Sequence, residues 1–213
     1  MTGATTRPRL VLFTDGSCVG NPGPGGWAVV VLCEEPRRRG QGRRNPTLHH
    51  VQTIKGNEVN STTNNRMELV AAIQALRWCC PHACAVIVCT DSMYVRNGIL
   101  EWLPNWRRNG WKTPTGRDIK NQDLWKELVD VVEASSGQGG QGQCPITWQW
   151  GRGHSGNVWN QLADRFATQM AAEARAGHRH QLCLIYDTTT AAEADVGEKK
   201  SAPPQEQQQE ESK

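Results

Sequence analysis

Four acids stand where a chain seldom leaves a carboxylate without a reason. Asp15 follows the apolar run Leu10–Phe13 and opens the turn-rich string "DGSCVGNPGPGG". Asp91 comes directly after "AVIVCT". Glu68 precedes Leu69 by one residue, about 100° round a helix, at the edge of an apolar stripe made by Leu69, Ile73 and Leu76. Asp164 lies between Leu162 and Phe166 on another amphipathic stretch. Acids beside a core repel one another and lose hydration, a cost that a cation offsets. Clustered carboxylate oxygens suit a hard divalent ion, Mg²⁺ or Mn²⁺. Taken singly, each acid reads as readily as a cap, a turn or a surface charge, and Asp-Gly is a strong turn dipeptide. Four acids in matching positions would need four coincidences.

The elements that must position them are legible in outline. Leu10–Thr14, Trp27–Cys33, His49–Lys55, Ala85–Thr90 and Ile146–Trp150 read as strands. The first three, joined by loops, are expected to pair antiparallel. "STTNN" supplies helix N-cap residues, and the stripe behind it runs until Pro81. A strand, that helix and a further strand predict a parallel pair with a right-handed crossover. Asp15 and Asp91 would then be neighbours beyond the carboxyl ends of adjacent strands, where sites form in open α/β sheets. Asp91–Trp125 reads as mostly helical, with a Trp-rich basic break. Residues 135–143, "SSGQGGQGQ", read as a linker, and Val158–Ala174 as a helix with Leu162, Phe166 and Met170 at an i+4 repeat.

The chain of 213 residues holds one full domain with length to spare, and its 37% hydrophobic content points to a polar appendage. No apolar run approaches a membrane span, and "MTGATTRPR" lacks the apolar core of a secretion signal. Eight irregularly spaced cysteines therefore read as reduced thiols, in a cytoplasmic setting. A zinc reading of Cys79, Cys80, His82 and Cys84 lacks a second ligand pair and is set aside. From Gly177 on, four Lys/Arg face seven Asp/Glu, a net of −3; the whole chain carries +3, so the remainder carries +6. A basic body implies a polyanionic partner, most simply nucleic acid. Basic residues interleaved with aromatics from Trp102 to Lys120 suit such a face. The same tryptophans also read as a small local core. The division expected is a flexible 1–8, a domain over 9–176, and a polar acidic tail over 177–213. That tail reads as largely disordered, with "QLCLIYD" a candidate short strand.

The stretches "FTDGSCVGNPGPGGW", "TTNNRMEL", "TDSMYVRNGI", "NWRRNGWKT" with "KNQDLW", and "GHSGNVWNQLAD" together resemble the type 1 ribonucleases H, and closely the bacterial ribonuclease HI form. They run in family order over about three quarters of the chain. The resemblance implies an α/β fold, a five-stranded mixed sheet in the order 3-2-1-4-5 flanked by helices. It implies hydrolysis of the RNA strand of RNA:DNA hybrids, leaving 5′-phosphate and 3′-hydroxyl ends. It further implies catalysis by two Mg²⁺ ions per site, with Mn²⁺ as a substitute. Asp15 would bridge both metals, Glu68 and Asp91 would hold the leaving-group metal, and Asp164 the metal that activates water. His154 matches the family's mobile histidine, which assists proton transfer or product release. Cys18 and Asn21 match positions that touch the RNA strand, and Asn64 and Asn65 match minor-groove readers. Thr63 and Asn105 match the DNA-phosphate pocket. Trp106, Arg107, Arg108, Trp111, Lys112 and Lys120 fall on the basic protrusion that grips the DNA strand. On this reading the glycines after Asp15 keep a loop poor in side chains, so that a nucleic-acid backbone can approach. A monomer with no obligate protein partner and no membrane is expected.

Two departures stand out. Met93 replaces a substrate-contacting glutamine, and Ser61 replaces an arginine of the phosphate pocket. The stretch Glu34–Thr47 is long and carries Arg37, Arg38, Arg39, Arg43 and Arg44. Two other readings compete: a non-catalytic hybrid-binding module, and a DNA-directed nuclease of the same superfamily such as a Holliday-junction resolvase. A lost carboxylate would favour the first, and all four are present. "TTNNRMEL" and "GHSGNVWNQLAD" speak against the second.

Overall fold

The computed structural model describes residues 9–34, 48–79, 84–135, 144–151 and 157–185. In chain order the elements are β1 (Arg9–Cys18), β2 (Gly23–Glu34), β3 (Leu48–Thr62), α1 (Asn64–Cys79), β4 (Ala85–Thr90), α2 (Met93–Asn97), a π-helical turn (Gly98–Trp102), α3 (Leu103–Arg108), α4 (Gln122–Ser135), β5 (Ile146–Trp150), α5 (Val158–Arg175) and β6 (Cys183–Ile185). The sheet order is β5-β4-β1-β2-β3-β6. The first five strands take the expected 3-2-1-4-5 arrangement, with β1 antiparallel to β2 and parallel to β4.

Both faces of the sheet are covered, which is why its central strands are continuous apolar runs rather than alternating ones. Leu10 and Leu12 of β1 join Val29, Val31, Leu69, Ile73 and Trp125 in a core beneath α1 and α4. Val11 and Phe13 point the other way, to Val30, Leu32 and Ala163 of α5.

The strands outrun the sequence expectation. Asp15 does not end β1. Pairing with β4 stops at Thr14↔Thr90, whereas pairing with β2 continues to Cys18↔Gly25. The strand forks at the acid, held on one side only. The turn beyond is short, closed by the Val19 N–H donating to Pro24 O at 2.8 Å. Two of the glycines also work inward rather than toward an outside backbone. A Cβ on Gly16 would lie 2.3 Å from the Glu68 nitrogen, and one on Gly26 would lie 2.3 Å from the Ala171 nitrogen. Their bare backbones let α1 and α5 close onto the sheet.

Thr63 starts α1, its Oγ1 accepting from the Arg66 N–H at 3.4 Å. The side chain of Asn21 accepts from the Asn64 N–H at 3.2 Å and ties the turn to the same helix end. Arg66 then clamps α1 to α4 through two bonds to Asp123, at 3.0 and 2.6 Å. The basic break is an aromatic stack. Trp106 meets Trp125 at 5.3 Å and Trp102 at 5.6 Å between ring centroids, and Tyr94 meets Trp125 at 5.5 Å.

The candidate strand in "QLCLIYD" is β6, antiparallel to β3 with Thr53↔Ile185 and Lys55↔Cys183 in register. Asn57 secures the approach. Its Nδ2 donates to His178 O at 2.8 Å and its Oδ1 accepts from the His180 N–H at 2.8 Å. The stretch expected to be a tail from Gly177 on therefore pairs with the sheet as far as Ile185. His154, the five arginines of 37–44, Cys80, His82, the 136–143 linker and residues 186–213 lie outside the described residues.

Candidate active site

Asp15, Glu68 and Asp91 each offer a carboxylate oxygen, and these oxygens all lie within 4.8 Å of one another. Topology explains the meeting. Parallel pairing ends at Thr14↔Thr90, so the next residue of each strand emerges on the same edge. Glu68 comes from the first turns of α1, brought alongside by the close approach at Gly16.

Asp15 and Glu68 are 7% and 5% exposed, so both are cut off from water. Burial, reinforced by the charges of Asp91 and Asp164 and partly offset by the Gly16 amide, pushes the Asp15 carboxyl up to about 8. Burial and the charges of Asp15 and Asp91 hold Glu68 well above the usual carboxylate range. Glu68 Oε2 is buried without a hydrogen-bond partner. An orphaned carboxylate oxygen facing two other acids is the condition that a hard divalent cation relieves. The residues present fit such a cation.

Asp164 is exposed on α5, next to the buried Ala163, and is not one of the three acids that converge. Its charge is nonetheless felt at both Asp15 and Glu68. One participant was not found in the sequence. Asn160 Nδ2 donates to Asp91 Oδ2 at 3.1 Å. Asn160 and Asp164 are four residues apart, hence on one helix face, which was the available signal. Trp150 Nε1 donates to the Asp91 carbonyl at 3.3 Å.

The other sequence candidates lie at the end of β1 and in the turn after it, at the start of α1, and along the aromatic break. Cys18 Sγ donates to Gly23 O at 3.3 Å, and Asn64 and Asn65 stand half-buried in the first turn of α1. Thr63 carries the cap, so neither asparagine is needed for it. Arg107 pairs with Glu133, Lys112 with Asp118 at 2.6 Å, and Arg108 donates to Asn105 Oδ1. Such exposed pairs contribute little and exchange readily. Trp111 has a left-handed backbone (φ 63°) and carries Lys126 Nζ 5.6 Å above its ring. Lys120 lends its carbonyl to the Tyr94 hydroxyl, at 3.3 Å. Of the two departures, Met93 is 49% exposed and Ser61 is exposed. Cys79 and Cys84 are buried, and the Cys79 thiol donates to Leu76 O at 3.2 Å.

Residues 7–172 match the model of the RNase H family, described as "RNase H". A ribonuclease H of Chromohalobacter salexigens is 43% identical over 175 residues, covering 82% of this chain and 92% of its own. A ribonuclease H of Marinobacter nauticus is 45% identical over 165 residues, covering 78% and 95%. A ribonuclease HI of Neisseria meningitidis serogroup B is 43% identical over 164 residues, covering 77% and 96%. Among solved structures, LC9-RNase H1, a type 1 RNase H with the type 2 active-site motif, superposes with a TM-score of 0.62 at 31% identity, over 85% of this chain and 78% of that one. The chain belongs to the RNase H family, with the family's fold and a carboxylate centre suited to a divalent metal.

Proposed function

We propose that this ribonuclease H cuts the RNA strand of RNA:DNA hybrids internally, leaving 5′-phosphate and 3′-hydroxyl ends. The observation that carries the reading is the convergence of Asp15, Glu68 and Asp91 within 4.8 Å around the unpartnered Glu68 Oε2. Two divalent cations, Mg²⁺ by preference, would supply the activation of water and the neutralisation of the leaving oxygen. Asp15, Glu68, Asp91 and Asp164 are the residues that would hold them.

The protein's own contribution is positioning and charge. Asp15 and Glu68 are fixed by strand and helix, and Asn160 aims Asp91. Displacement at phosphorus depends mainly on such placement. Cys18, Asn21, Asn64 and Asn65 would meet the RNA strand near the 2′-hydroxyl, which separates RNA from DNA only at close range. Thr63, Asn105, Trp106, Arg107, Arg108, Trp111, Lys112 and Lys120 would track the DNA strand, the ion pairs of Arg107 and Lys112 giving way to phosphate. His154 would move a proton or release the new phosphate end. The enzyme acts as a monomer in the cytoplasm.

The test is one comparison with Mg²⁺ present. Labelled RNA:DNA hybrid, double-stranded RNA, double-stranded DNA and single-stranded RNA are each incubated with the protein. Only the RNA of the hybrid should be cut, and comparable cleavage of double-stranded DNA overturns the reading.

A further inference from the structure

A groove of about 310 Å³ opens beside the carboxylate cluster, and none of the roles above uses it. Its floor is Trp148 and Trp150, alternate residues of β5 and therefore on one face of that strand. Among the described strands β5 is at the edge of the sheet. Its wall is Ile99 and Leu100 from the π-helical turn, a departure from regular helix that recurs at functional sites. Leu100 is 56% exposed and Trp150 39%, large apolar surfaces left side by side in water. Such surfaces mark places where something binds. Arg96 completes the lining, its guanidinium 5.8 Å from the Trp150 ring centroid. Among the described residues no carboxylate forms an ion pair with it.

An aromatic face, an aliphatic wall and a guanidinium held only by the neutral Asn97 side chain, at 3.0 Å, and the Trp150 ring match one ligand chemistry: a flat base with an anionic phosphate attached. Stacking on aromatic side chains tolerates any base, because every base has a π face. The place fits as well. Trp150 is bonded to the main chain of Asp91, and Thr90 lines the groove, so its mouth adjoins the acids. Bases inside a duplex are stacked and paired, and none of them is free to enter. We infer that the groove takes an unpaired nucleotide next to the cleavage position, as at a single-stranded RNA extension of a hybrid. The inference rests on the hybrid reading above.

The test uses the full chain and two hybrids, one blunt and one carrying a short unpaired RNA extension, tried at either end. Binding is measured without divalent metal, so that no cleavage occurs, and turnover is measured with Mg²⁺. The extension should tighten binding about fivefold or more, within the range that stacking on one aromatic delivers. 2-Aminopurine placed in the extension should be quenched on binding. Leu100→Glu, at an exposed position that does not threaten folding, should abolish both effects and leave the blunt hybrid bound and cut as before. Trp150→Phe should keep part of the advantage. Equal affinity for the two hybrids, or an advantage that survives Leu100→Glu, overturns the inference and leaves the groove for a protein partner. If no hybrid is cut at all, the proposed function has failed instead.

Discussion

Asn160 donates through Nδ2 to Asp91 Oδ2, 3.1 Å away, and so joins α5 to the carboxylate centre. Asp91 follows the last residue of β4 and is the least buried of the three converging acids, so its orientation depends on such a partner. Outer partners of metal ligands are worth about 10–100-fold in metal affinity or activity. Asn160→Ala should raise the Mg²⁺ concentration for half-maximal cleavage by about 10-fold, with hybrid affinity unchanged. Asn160→Asp should be worse, since it sets a like charge against Asp91. A metal titration that superposes on the wild type would show the bond to be incidental.

Asp91→Asn should abolish cleavage while hybrid binding persists, because phosphate contacts come from elsewhere. The melting temperature in chelator should hold or rise, since the charge that helps to raise Asp15 and Glu68 is gone. Cleavage at the wild-type rate would remove Asp91 from the metal set.

The acids also predict how stability responds to pH when metal is absent. Asp15 is raised from 3.8 to about 8, and Glu68 moves the same way. The folded chain therefore keeps protons that the unfolded chain releases, and stability falls as pH rises between those values. In chelator, Tm should drop between pH about 5.5 and about 8.5, at about 2–4 °C for each kcal/mol lost. Added Mg²⁺ should stabilise more at the upper pH than at the lower. An Asp15→Asn variant should show a shallower decline, and a slope unchanged by that substitution would place its origin elsewhere.

Two truncations separate the C-terminal region into parts. Ending the chain after Ile185 should leave Tm and cleavage near wild type. Ending it after Ala176 removes the His178 and His180 partners of Asn57, leaving it Met170 O, and exposes the β3 edge, so Tm should fall by a few degrees, at about 0.5–1.5 kcal/mol for each hydrogen bond lost. Equal melting of the two truncations would mean that β6 adds no stability.

His154→Ala should slow turnover within the range of about 10²–10⁴-fold that general acid–base assistance supplies. Its Mg²⁺ dependence should match the wild type. Loss of activity as deep as in Asp15→Asn would put the histidine among the metal ligands.

The strand runs, the crossover and the helix stripe were all legible, because a sheet covered on both faces writes itself as unbroken apolar sequence. That was enough to bring Asp15 and Asp91 together and to set Glu68 near them. Strand length was not legible: the polar, glycine-rich "GSC" looks like a turn, yet pairing with β2 holds it in the ladder to Cys18. Gly16 and Gly26 read as loop residues because a glycine beside a helix backbone looks the same in sequence as one in a turn. The Asn160–Asp91 bond spans 69 residues: the spacing to Asp164 sets Asn160 on the same helix face, but its reach to Asp91 depends on how α5 lies against β4. β6 is three residues long, and its anchorage comes from Asn57 on a distant strand.

The fork at Thr14↔Thr90 divides the acids between two regimes of mutational tolerance. Asp15 and Glu68 hang from a unit with no slack, where even a methyl group at Gly16 would collide with the helix that carries Glu68. Changes there are removed by selection as failures to fold. Asp91 leans instead on side chains, Asn160 and Trp150, that belong to no core cluster and can be exchanged singly. In a drifting lineage, metal response and pace would therefore vary through α5 and β5, while the β1–α1 side of the site stayed almost unaltered.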